Sequence, residues 1–135
     1  MKLLLDTSAL IELMRGNSLV AQIVEKSEST SISPISLYEV MVGITDKAKR
    51  SKLRHAFTDF AALPFTMQDA VTSANIGLEL SGKGKAVNVL DILIAAQAVA
   101  HGLTILTGDK DFNHISLANS DVSVIQIGSL VDSRI

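Results

Sequence analysis

Apolar positions along the chain fall in short blocks whose period changes from block to block, with Gly, Pro or polar residues between them. Leu3-Leu4-Leu5 is a continuous apolar run, the pattern of a parallel strand covered on both faces. Asp6-Thr7-Ser8 then offers capping oxygens, and residues 9–14 continue as a helix that Gly16-Asn17 ends. Ser18 caps a second helix, whose Leu19, Val20, Ile23 and Val24 share one face. The stretch 30–33, punctuated by Pro34, reads as a second strand. Residues 36–44 read as helical, and a polar helix continues to about residue 60, before a brief extended piece at Leu63-Pro64-Phe65. Met67, Val71, Ala74 and Leu78 keep helical spacing until the loop Gly82-Lys83-Gly84-Lys85. Residues 90–100 are apolar nearly all round, the mark of a buried helix, and His101 and Gly102 suit its C-terminus. A strand at 104–107, a turn at 108–113 and a last strand at 122–127 complete the pattern.

Strands separated by helices imply right-handed crossovers and a central parallel sheet with helices on both sides, an α/β fold. No repeat, low-complexity segment or linker interrupts the pattern, so residues 1–135 are expected to form one domain. Composition narrows the class. Apolar residues make up 47% of the chain, charged residues 19%, and the mean hydropathy is +0.36, which excludes a disordered chain. The absence of cysteine removes disulfide scaffolds, thiol catalysis and cysteine-bound zinc, and points to a reducing, cytoplasmic setting. The opening MKLLLDTSAL does not read as a secretory leader, and no run approaches the ~20 apolar residues of a membrane span.

The informative chemistry lies in where the acids fall. Asp6 ends the first strand, Glu39 and Asp91 lie in the first turns of helices, and Asp109 follows the strand 104–107 by one glycine. Ligands of an open parallel sheet bind beyond the carboxyl ends of its strands, so these distant residues are expected to converge on one cleft. Each acid also has an ordinary reading. Ser36-Leu37-Tyr38-Glu39 matches a capping box, Asp6 an N-cap, Gly108-Asp109 a turn, and Asp91 a complement to a helix dipole. Asp91 is the hardest to dismiss, being an isolated charge in an apolar helix. Gathered together, the carboxylates repel, raise one another's pKa and call for a cation. With no cysteine, and no histidine at ligand spacing, an all-oxygen site suits Mg²⁺ or Mn²⁺. Such an ion generates a nucleophile from water and stabilises charge on a phosphodiester, so hydrolysis of that bond is the chemistry that fits.

LLLDTSALIELMRG, SPISLYEVMVGI, the segment from Leu63-Pro64-Phe65 to Asp91-Ile92-Leu93-Ile94-Ala95-Ala96, and LTILTGDKDF together resemble the PIN-domain ribonucleases, and within them the VapC-type toxins of toxin–antitoxin pairs. The likeness spans almost the whole chain in the family's order. It implies a PIN-like three-layer sandwich and an endoribonuclease dependent on Mg²⁺ or Mn²⁺, the toxin of a type II pair. It further implies catalytic Asp6, Glu39, Asp91 and Asp109, with Asp6, Asp91 and Asp109 as metal ligands. Asp111 is the alternative to Asp109, since GDKDF offers two acids. The resemblance also suggests that Thr107 orients water or metal, that Ser8 supports Asp6, and that Gly43 is a small residue needed for packing. An RNA substrate, a cognate antitoxin and a homodimer are the partners it implies, with no membrane role.

Residues 46–55 hold five of the twelve Lys and Arg residues, and read either as a solvated helix face or as a phosphate-contacting patch. Lys83, Lys85 and Arg15 carry the same two readings more weakly. Apolar residues of the first two helices are candidates for an antitoxin groove. His55, His101 and His114 belong to no motif. Two other functions compete. A phospho-acceptor signalling domain typically has adjacent acids after its first strand, but Thr7 follows Asp6, and Ser8 breaks an Asp-x-Asp pattern. A catalytically silent PIN-fold binding module has no need of four acids. The net charge of −2 at first counts against a nucleic-acid enzyme, yet setting aside the four acids leaves the rest of the chain at +2.

Overall fold

The structure, a computed structural model, describes residues 1–132, so the expected domain end at Ile135 lies outside the described residues. β1 (Lys2–Leu5) leads into α1 (Thr7–Met14) and α2 (Ser18–Lys26), and β2 (Ser29–Ile32) into α3 (Pro34–Val42) and α4 (Lys47–Phe57). The two-residue β3 (Ala61–Ala62) precedes α5 (Met67–Gly82) and α6 (Val89–His101). β4 (Thr104–Thr107), α7 (Asp111–Ala118), β5 (Ser123–Gln126) and α8 (Ile127–Asp132) follow. All strand pairings are parallel, in the order β3-β2-β1-β4-β5. The chain builds outward from β1 on one side and then returns to place β4 on the other. The β1/β4 boundary is thus a topological switch point, where the connections diverge and leave a crevice.

Two apolar layers clasp the sheet. Leu4 and Ile105 face one layer with Ile94, Ala95, Ala98, Phe112 and Ile115, and Leu3, Leu5 and Leu106 face the other with Leu10, Val20, Val40 and Phe57. Alternation along a strand sends neighbours to opposite faces, so a strand covered twice must be apolar at every position. That is the physical content of Leu3-Leu4-Leu5. The alanines of α6 let its backbone lie close to the sheet and to α5, and Gly102, at φ 63°, ends it in the left-handed conformation that side chains resist. None of the helices among the described residues is long and apolar enough to cross a membrane.

Several local expectations change. Asn17, not Ser18, caps α2, its Oδ1 accepting from the amides of Leu19 and Val20. Ser33 caps α3 with Pro34 at the first helical position, which places Ser36 inside the helix. The Ser36–Glu39 capping box is therefore absent. The Ser36 hydroxyl is buried with no hydrogen-bond partner among the described residues. A true capping box joins Thr66 and Asp69 at the start of α5. The third strand falls at Ala61–Ala62, just before the expected Leu63-Pro64-Phe65, and the last strand is shorter than expected. Two short helices, α7 and α8, take up residues read as turn or left unassigned, because Phe112, Ile115 and Ile127 are needed in the core. On α5 the residues that set the helical spacing point outward: Met67, Val71 and Leu78 are exposed, whereas Asp69, Ser73, Ile76 and Leu80 face inward.

Candidate metal centre

The site is assembled at the switch point from the ends of β1 and β4. Asp6 closes β1 and caps α1, with its Oδ1 accepting from the Ala9 amide at 2.8 Å. The Ser8 hydroxyl donates to both oxygens of the same carboxylate at 2.8 and 2.9 Å, and Thr107 donates to Oδ2. Each hydroxyl also accepts a bond from the main chain that follows β4. Ser8 Oγ accepts from the Gly108 amide at 2.8 Å, and Thr107 Oγ1 from the Asp109 amide at 2.9 Å. Two hydroxyls and one carboxylate thereby fasten the two strand ends together. Asp6 is 2% exposed. Burial pushes its pKa up, the bonds from Thr107, Ala9 and Ser8 oppose that, and the charge of Asp109 adds to the rise.

The other acids arrive from three helices and a turn. Glu39, on α3, accepts a hydrogen bond from Thr7 Oγ1 at 2.7 Å. Asp91, in the first turn of α6, is 7% exposed and accepts no hydrogen bond from the described residues. Its pKa is pushed up to about 7, first by burial and then by the charges of Asp109, Glu39, Asp6 and Asp111. Asp109 Oδ1 accepts from the Asp111 amide at 2.9 Å, which turns the chain into α7. One carboxylate oxygen each from Asp91, Asp109 and Asp111 lie within 4.8 Å of one another.

Asp6, Glu39, Asp91 and Asp109, more than a hundred residues apart in sequence, are therefore brought to one crevice, with Asp111 among them. Asp111 stands beside Asp109 rather than in place of it. Asp6 lies close enough for its charge to act on Asp91, but its carboxylate is outside the tight trio. No Lys or Arg of the described residues pairs with any of these acids. A buried carboxylate with no donor, facing like charges and no cation, is unstable as an ion unless something positive is supplied. Oxygen-only donors at this spacing fit a hard divalent cation.

Features away from the crevice sort differently. Arg50 is committed to structure, donating to the carbonyls of Met41 and Ile44 at 2.6 and 2.7 Å where α3 ends. Lys47, Arg54 and His55 of α4 line a groove of about 540 Å³ that Met41 of α3 also borders. Ile11, Leu13, Ile23 and Val24 of the first two helices are half-buried against the core, and Met14 of α1 and Tyr38 and Val42 of α3 are exposed. Gly43 ends α3, and a Cβ there would meet only ordinary contact with the Val40 carbonyl at 3.9 Å. His101 and His114 stand apart from the acids on α6 and α7. Thr7 was not singled out by the sequence, although it sits inside the Leu5-Asp6-Thr7 motif, and neither was Gln126, for which no local signal exists.

A parallel sheet of this order with acids at its β1/β4 crevice is the arrangement of a PIN domain, and residues 3–117 match the model of that family; the chain belongs to it. Among curated proteins it is similar to Ribonuclease VapC1 of Rickettsia felis, 34% identical over 123 residues that cover 85% of this chain and 91% of that protein. It is also similar to Ribonuclease VapC5 of Mycobacterium tuberculosis, 30% identical over 129 residues, covering 91% and 93% of the two. Among solved structures, FitAcB from Neisseria gonorrhoeae superposes with a TM-score of 0.74 at 27% identity, over 92% of this chain and 96% of that one. VapBC2 from Rickettsia felis, bound to a DNA fragment from their promoter, superposes with a TM-score of 0.79. At 21% identity over 93% and 98% of the chains, that last likeness speaks to the fold alone.

Proposed function

We propose that this chain, as one PIN-like unit over residues 1–135, is a Mg²⁺- or Mn²⁺-dependent endoribonuclease and the toxin of a VapBC-like type II pair. The observation that carries the reading is Asp91: a buried carboxylate without a donor among the described residues, ringed by Asp109, Glu39, Asp6 and Asp111 at the switch point. Asp6, Asp91 and Asp109 hold the cation, and Asp111 lies within reach as a further carboxylate. When bound, a divalent ion supplies a nucleophile from water and neutralises charge building on the phosphodiester. The residues of the chain do the rest. Ser8 and Thr107 fix the Asp6 carboxylate, and Thr107 also sets the Asp109 backbone. Glu39, oriented by Thr7, accepts a proton from the attacking water at its free carboxylate oxygen.

The partners follow from different observations. Relatives named Ribonuclease VapC support a cognate antitoxin. For a homodimer, the support is α5: Met67 is 86% and Leu78 72% exposed, with Val71 and Ala74 between them at a seven-residue repeat. The two acids of that helix are turned away from this stripe, Asp69 into its cap and Glu79 onto Asn119. The absence of cysteine supports a cytoplasmic setting. The direct test incubates the purified protein with total RNA, with and without Mg²⁺, and sequences the new ends. Cleavage at defined positions that EDTA abolishes is expected; undiminished cleavage in excess EDTA contradicts the metal mechanism.

A further inference from the structure

Two acids of the cluster lie two residues apart, Asp109 in the turn after β4 and Asp111 at the first position of α7. The beginning of this segment is fixed by Thr107, whose hydroxyl accepts from the Asp109 amide. Its middle is fixed internally, where Asp109 Oδ1 accepts from the Asp111 amide. These bonds set the turn but do not tie it to the neighbouring strand. Gln126 supplies that tie. It is the last residue of β5 and lies opposite Thr107 in the parallel register, at the carboxyl edge of the sheet where the crevice opens. Its Nε2 donates to the Asp109 carbonyl at 2.9 Å and to Asn113 Oδ1 at 3.2 Å. A carbonyl oxygen only accepts, so the nitrogen of the amide must be the atom that faces it. Both acceptors belong to the acid-bearing segment, one at each side of Asp111.

Resting on the proposed metal-dependent ribonuclease, we propose that Gln126 is a positioning residue for the metal centre. It clamps residues 109–113 so that the carboxylates of Asp109 and Asp111 keep their spacing to Asp91. The need for such a clamp follows from electrostatics. Asp91, Asp109 and Asp111 repel when ionised; Asp91 is fixed on a buried helix, so the repulsion bears on the turn that carries Asp109 and on Asp111 at the first position of α7. A donor on the adjacent strand opposes that repulsion at little cost, because it bonds to main chain and adds no charge to the cluster. Residues that orient metal ligands in this way typically contribute about 10–100-fold in affinity or activity.

The test is calorimetric titration of Mn²⁺ into wild-type protein, Gln126→Met and Gln126→Ala, with the metal-free melting temperature and circular dichroism of each recorded. Gln126→Met keeps the length of the side chain and removes only the donor. Both variants are expected to bind Mn²⁺ at least about tenfold more weakly, with metal-free spectra like the wild type. In RNA cleavage at saturating metal, kcat should fall while KM for the RNA stays within twofold. Asn113→Ala, which spares the Asp109 bond, should lose less than either. Wild-type affinity in both Gln126 variants overturns the assignment. So does an affinity loss seen only where the metal-free fold has collapsed, which would make Gln126 merely structural. A wild-type protein that takes up no Mn²⁺ overturns the metal reading itself, a result distinct from either.

Discussion

At Asp91 burial and the charges of four other acids act on a single side chain. Its pKa of about 7 stands above the ordinary 3.8, so the folded protein holds a proton there that the unfolded chain has lost. Between those two values the unfolded state binds fewer protons than the native state, and stability falls as pH rises. Below the lower value both states are protonated and the penalty vanishes; above about 7 it is fully present. The metal-free protein is thus expected to melt at progressively lower temperature from pH 4 to pH 7. Asp91→Asn should flatten that slope and raise metal-free stability at neutral pH, because the amide carries no charge to desolvate or to be repelled by the other acids. Thermal unfolding across pH checks both, and a variant no more stable than wild type at pH 7.5 would contradict them. Because the cation competes with this proton, Mn²⁺ affinity should weaken as pH drops below 7.

At the scale of elements, two serines three residues apart make opposite forecasts. Ser33 caps α3 by accepting from the Ile35 amide, so Ser33→Ala should cost about 0.5–2 kcal/mol. Ser36 buries a hydroxyl with no partner among the described residues, so Ser36→Ala should be neutral or stabilising. Denaturant unfolding of the two variants decides between this pairing and the capping box that the sequence spells at residues 36–39. How far elements were legible depended on what defines them. β1 and α6 could be read directly, β1 as an unbroken apolar run covered on both sides and α6 as a helix apolar nearly all round apart from Asp91 and Gln97, and β4 was read at its true bounds, 104–107. The helical character of α5 was equally visible, but its facing was not. Asp69 and Ser73 are buried because the cap and the Ser73 bond to the Asp69 carbonyl satisfy them locally, leaving the apolar stripe outside. α7 was hidden because its first residues, Asp111-Phe112-Asn113, spell a turn, and only the core's demand for Phe112 and Ile115 makes them helical.

The whole molecule explains why the acids were legible as a set and not one by one. Their convergence follows from parallel topology: strand ends meet at a switch point whatever the loops do. The roles of Asp111 and Gln126 follow instead from the start of α7 and the β4/β5 register, which no local pattern encodes. The uncharged stripe on α5 belongs to this scale as well. Leu78→Asp should convert a dimer to monomer in light scattering without changing the circular dichroism spectrum, and an unchanged mass would dismiss α5 as the interface. The net charge of −2 now has a distribution, with five acids at one crevice and cations of α4 lining a separate groove. The central claim is that this crevice cleaves RNA with a divalent cation held by its acids. It is tested most directly by the rate of RNA cleavage as Mg²⁺ is returned to metal-free wild-type protein and metal-free Asp91→Asn. A rate that rises and saturates for wild type while the folded variant stays inactive is expected. Equal cleavage by both, or wild-type cleavage before any metal is added, would contradict it.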